Sequence, residues 1–132
     1  MEEWIDKLYK WADKYEIKEA DIPRDVKKLK NMTILELSHY NLENIPDEVY
    51  ELTKINHMVV SHNKLTSLSS KISNFSNLFQ LDITGNKFTD IPNDLIELKQ
   101  LQWIIIGENK LEVKSSNIVS SLKQKGIRVV DK

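Results

Sequence analysis

The side chains in this sequence able to bind a metal, move a proton or anchor a partner are few: His39, His57 and His62, the carboxylates Glu36 and Asp82, and the indole of Trp103. Two neighbouring histidines with a carboxylate close by can hold a transition metal or respond to pH near neutrality. His39 and His62 stand 23 residues apart, and with no third ligand in place beside them the simpler reading is a pair of exposed imidazoles on a polar rim. Catalytic constellations are missing. The chain has three glycines and no cysteine, and it contains no Gly-rich phosphate loop, no G-x-S-x-G and no H-E-x-x-H. The lack of cysteine excludes disulfides, thiolate metal sites and cysteine nucleophiles. The expectation is therefore a protein that is not an enzyme and uses no cofactor and no metal.

Composition narrows the class of partner. With 132 residues, 40% apolar and 30% charged, the chain fits one globular domain rather than a disordered segment. Its net charge is -1. Residues 31–118 carry eleven acids against seven bases, and the last fourteen residues carry four bases and one acid. A nucleic-acid partner is not expected from that balance. A ladder of Lys64, Lys87 and Lys110 could grip phosphates, but beside acidic neighbours it reads as a solvated edge. The opening MEEWIDKLYK lacks a basic leader, and no stretch reaches the roughly 18 apolar residues of a membrane span. A cytoplasmic location follows as an expectation. The triplets Asn31-Met32-Thr33 and Asn74-Phe75-Ser76 carry little weight as glycosylation sites.

The elements that must position these side chains come from a period of 23 residues, clearest from Leu78 to Gln100. Ile22-Pro23 recurs as Ile45-Pro46, Leu68-Ser69 and Ile91-Pro92. Val26, Val49, Ile72 and Leu95 form one apolar column, and Leu29, Leu52, Phe75 and Leu98 form another. Met32, Ile55, Leu78 and Leu101 open each unit. Leu35, Met58, Leu81, Ile104 and Ile127 then align, as do Leu37, Val60, Ile83, Ile106 and Val129. Tyr40, Asn63, Asn86 and Asn109 follow, then Leu42, Leu65, Phe88 and Leu111. Apolar residues two apart face one side of a short strand. One such unit cannot bury that side alone, so units must stack. The asparagine amide can give and accept hydrogen bonds to backbone groups freed by the turn.

Written as one line the columns are L-x-x-L-x-L-x-x-N-x-L, which resembles the leucine-rich repeat family over residues 22–112. The resemblance implies an α/β fold: a right-handed solenoid forming a short horseshoe arc, with a parallel sheet of about five strands. It also implies a concave strand side that serves as the partner-binding surface. Residues 1–21 are expected to form an N-terminal helical cap. An amphipathic helix over 2–16 carries Trp4, Ile5, Leu8, Trp11, Ala12 and Tyr15 on one face. Residues 113–132 are expected to close the array with a helix capped by Ser115 or Ser116, striped by Ile118, Val119 and Leu122 and ended by Gly126, followed by a strand over 127–130. Tyr40 departs from the asparagine column and predicts a looser or differently bonded first turn.

Residues between the inward columns face out. They are Ile34, His57, Gln80 and Trp103; then Glu36, Val59, Asp82, Ile105 and Arg128; then Ser38, Ser61, Thr84 and Gly107, with His39, His62, Gly85 and Glu108 at the strand ends. Trp103 and Ile105 with Val59 and Ile34, among acids, suit an interface built on an anchor residue. The competing reading covers Trp103 and Ile105 with the C-terminal segment. The expected function is a monomeric protein–protein interaction module contacting its partner through Ile34, Glu36, His57, Val59, Gln80, Asp82, Trp103 and Ile105. The alternative is a self-assembling structural protein pairing through the last strand or the tryptophan helix. A metal- or pH-dependent ligand site at His39 and His62 ranks below both.

Overall fold

Each repeat contributes one strand of three residues, and five of these pair in chain order into a single parallel sheet. The computed structural model describes residues 1–131, so the final Lys132 of the expected closing unit lies outside the described residues. The strands are β1 (Ile34–Glu36), β2 (His57–Val59), β3 (Gln80–Asp82), β4 (Trp103–Ile105) and β5 (Arg128–Val130). Return segments after β1, β2 and β3 are 3-10 turns at Asp47–Glu51, Ser70–Asn74 and Asn93–Glu97. Pro46 and Pro92 precede the first and third, Pro46 in extended geometry; in the second, Ser69 stands in and its hydroxyl accepts from the Lys71 amide at 3.0 Å.

The middle residue of each inner strand points inward. Leu35, Met58, Leu81 and Ile104 are fully buried, as are Val49, Ile72, Phe75 and Leu95 from the return side. Burying one such side chain contributes roughly 1.5–3 kcal/mol, so the columns supply the driving force for stacking. Tyr50 and Phe75 extend the core across adjacent units with ring centroids 5.3 Å apart.

The ends differ from the body. Helix α1 (Glu3–Lys14) buries Ile5, Leu8 and Ala12 and packs against the Asp47–Glu51 turn, so its tryptophan face is turned to the array. Arg24 pins its C-terminal end, with Nη2 donating to Asp13 Oδ1 and to the Ile17 carbonyl, both at 2.9 Å. At its other end Glu2 pairs with Lys30. Because α1 occupies the place beside the Asp47–Glu51 turn, the first return segment is displaced. It forms a short helix, α2 (Val26–Lys30), opened by Asp25, whose side chain accepts from the Lys28 amide. Leu29 is buried, but Val26 is 37% exposed, contrary to its expected inward column.

The closing unit also departs from the period. Helix α3 (Ser115–Gln124) buries Ile118 and Leu122, and Gly126 ends it at φ +87°. No side chain among the described residues caps its N-terminus. The Ser115 hydroxyl, expected to do so, bonds back to the Thr89 carbonyl and Asp90 Oδ1 instead. The helix needs more chain than a 3-10 turn, so the last strand is shifted by two residues. Ile104 pairs with Val129 and Trp103 with Arg128, not Ile104 with Ile127 as the strict period predicts.

Candidate interaction surface

Three asparagines hold the strand ends in register. Asn86 Oδ1 accepts from the Leu65 amide at 3.0 Å, while its Nδ2 donates to the carbonyls of Val60, Ile83 and Thr84. Asn63 and Asn109 repeat this, each reaching one unit back, to Leu37 and to Ile83 respectively. The amide works because both its ends find backbone partners, one of them on the preceding unit. The first unit has no preceding strand. There Tyr40 points its hydroxyl into the cap, accepting from the Lys18 amide at 3.2 Å and donating to the Asp21 carboxylate. Burial and that Asp21 bond raise the Tyr40 hydroxyl above the ordinary tyrosine range.

Past the strands, His39, His62, Gly85 and Glu108 all adopt left-handed backbone, at φ of 62°, 55°, 71° and 53°. The turn imposes this at every repeat, although side chains seldom take it. The shared geometry lays the His39 and His62 rings face to face, 4.7 Å apart and 11° from parallel. His62 in turn lies over Gly85, where a Cβ would come within 2.5 Å of His62 Nδ1. Sequence spacing predicts the neighbouring histidines; nothing in it announces their stacking or the need for glycine beneath. No group of three or more His, Cys, Asp or Glu is placed to hold a metal among the described residues.

The solvent side of the sheet carries two rows. Ile34, His57, Gln80, Trp103 and Arg128 lie side by side across the strands; Glu36, Val59, Asp82, Ile105 and Val130 form the second. All eight expected contact residues fall in these rows. Arg128 was expected beside Ile105 and lies beside Trp103 instead, its guanidinium 5.2 Å from the indole centroid. The C-terminal segment thus covers part of the Trp103 face, leaving the residue 37% exposed, while Ile34 is 56% exposed. Glu36 and Asp82 are each fixed by a backbone amide, Ser38 N at 2.8 Å and Thr84 N at 2.9 Å. Phe79 lies outside the expected contact set. It precedes β3, is 37% exposed, and its ring lies 6.1 Å from that of His57, adding apolar surface beside the first outward row. Its signal was an aromatic in a column otherwise holding Thr33, Asn56 and Gln102.

Surface depressions of about 480, 210 and 460 Å³ lie elsewhere, beside Trp4 and Lys30, around Ile91–Asp94 and around Glu97–Gln100. Lys64, Lys87 and Lys110 are exposed beyond the asparagines. No helix among the described residues is long and apolar enough to cross a membrane.

Comparison with known proteins agrees with this geometry. The family model described as Leucine rich repeat matches residues 30–88. A segment of 52 residues, 39% of this chain, is 35% identical to the Protein flightless-1 homolog of Caenorhabditis elegans, of which it covers 4%. Among solved structures, a leucine-rich-repeat protein of Leptospira interrogans superposes with a TM-score of 0.70 and 25% identity, over 79% of this chain and 26% of that one. Internalin C2 of Listeria monocytogenes superposes with a TM-score of 0.62 and 24% identity, over 79% of this chain and 43% of that one. The chain therefore spans a quarter of the Leptospira protein and a small fraction of the nematode one. Its in-phase strands, its asparagine ladder and the family match over residues 30–88, less than half of the chain, mark a leucine-rich-repeat fold.

Proposed function

We propose that this protein is a non-enzymatic module that captures a protein partner on the solvent side of its sheet. Leucine-rich-repeat folds generally mediate protein–protein interaction, and fold alone does not name a partner. The observation that carries the reading is the exposure of Ile34, Phe79 and Trp103, each at least 37% exposed, on a sheet face that also turns Val59 and Ile105 outward. Trp103 has the fixed carboxylate of Asp82 on the neighbouring strand, and a large aromatic beside a fixed charge is the composition of an interface anchor. Glu36, His57, Val59, Gln80, Asp82 and Ile105 complete the contact set.

The test pairs Trp103→Ala with wild type in partner capture from the native host and in thermal unfolding. Capture should fall at least tenfold while the unfolding midpoint stays within about 2 °C, the behaviour of a surface substitution. A large drop in midpoint would instead make Trp103 a structural residue held by Arg128. A second reading, end-to-end self-assembly, draws on β5, which among the described residues pairs with β4 alone. Light scattering separates the two, because assembly requires a molar mass that rises with concentration.

A further inference from the structure

We infer that the partner element suited to this surface is an α-helix presenting basic and apolar residues in alternation, one helical turn per strand. The inference rests on the sheet-side binding reading and adds the chemistry of the partner. Across neighbouring strands the second outward row reads Glu36, Val59, Asp82, Ile105, so acid and apolar side chains alternate at each step. Both carboxylates are held by one oxygen on a backbone amide, and the second oxygen of each has no protein partner among the described residues. Neither belongs to an ion pair there, although Lys64 and Lys87 stand past the exits of β2 and β3. Two fixed, uncompensated anions on an exposed face favour a cationic partner and disfavour an anionic one.

Spacing selects the helix. Adjacent strands lie about 4.7–4.9 Å apart, so Glu36 and Asp82 are separated by roughly 9.6 Å. A helix rises about 5.4 Å per turn, and residues i and i+7 sit roughly 10.5 Å apart on nearly the same face. Lys or Arg at i and i+7 would meet the two carboxylates. Apolar residues at i+4 and i+11 would meet Val59 and Ile105, with the Trp103 edge alongside. The accumulated mismatch over three strand steps is about 2 Å, within the reach of lysine and arginine side chains. A strand laid the same way, at about 3.3 Å per residue, presents alternate faces and cannot match a 9.6 Å repeat with an even step.

The test uses the full chain and two synthetic helical peptides that share Leu at i+4 and i+11, one with Lys and one with Glu at i and i+7. Anisotropy titrations should show the Lys peptide binding at least tenfold more tightly than the Glu peptide, with the preference shrinking at high salt. The double variant E36Q/D82N keeps an acceptor for the Ser38 and Thr84 amides and removes both charges. It should lose tenfold or more in affinity for the Lys peptide at an unchanged melting midpoint. Equal binding of the two peptides, or no loss in the double variant, overturns the proposal. If neither peptide binds while partner capture remains sensitive to Trp103→Ala, the helix chemistry is wrong and the sheet-side reading stands. If capture is also insensitive, both fall.

Discussion

The interior turns and the first turn solve one hydrogen-bonding problem with different residues. Asn86 spans its own strand exit and the carbonyl of Val60 on the unit before it. Tyr40 occupies the same position where no earlier strand exists, and reaches Lys18 and Asp21 in the cap. The asparagine is therefore a signature of having a neighbour. Where the neighbour is a helical cap, a longer side chain with a terminal hydroxyl takes over.

That contrast sets a ranked series of outcomes. Asn86→Ala should cost the most, about 3 kcal/mol or more by chemical denaturation, because it strands the Leu65 amide and buried carbonyls on two units at once. Gly85→Ala should cost less, about 1–2 kcal/mol, from left-handed backbone on a residue that gains a Cβ. Part of that cost is the approach to His62, so His62→Ala in the same chain should recover it; if nothing is recovered, the stack does not constrain position 85. Tyr40→Phe should cost about 1 kcal/mol, since only one hydroxyl is lost, at the rim of the array.

The smallest effect concerns Tyr50, whose buried hydroxyl has no hydrogen-bond partner among the described residues even though the Ser69 backbone is near it. Tyr50→Phe should change stability by less than about 0.5 kcal/mol at neutral pH, or raise it. Burial pushes the Tyr50 hydroxyl upward, as burial and Asp21 do for Tyr40. A raised folded-state value means the folded protein holds the proton longer than the unfolded chain. The stabilisation is whole below the unfolded value near 10 and is lost as pH rises through the folded values. Stability should therefore decline above about pH 10 in the wild type, and the decline should flatten in a Tyr40→Phe/Tyr50→Phe chain. A decline of equal slope in both would assign the alkaline loss elsewhere.

Inward columns were legible because they are periodic, and periodicity survives without knowing the fold. Leu35, Met58, Leu81 and Ile104 are buried as their spacing requires. Outward rows followed from the same alternation, so the residues expected to make contacts lie on the solvent side of β1 to β4, as their spacing requires. The failures gather at the ends. Val26 kept the period but lost its place to α1, and Arg128 broke the period because α3 consumed two more residues than a 3-10 turn. Ser115 looked like a cap and became a tie to Asp90. Phe79 carries no signal of its own beyond being aromatic, because its column with Thr33, Asn56 and Gln102 has no structural duty.

By itself the sequence determined the repeat, its length, the strand faces and the amide ladder, since each is a local choice made again every 23 residues. Only the tertiary structure decided what happens where a unit meets something other than its own kind. It put Tyr40 on the cap, Arg128 over Trp103 and His62 over Gly85. Those contacts join residues through space across unlike elements, and no spacing along the chain encodes the path between them.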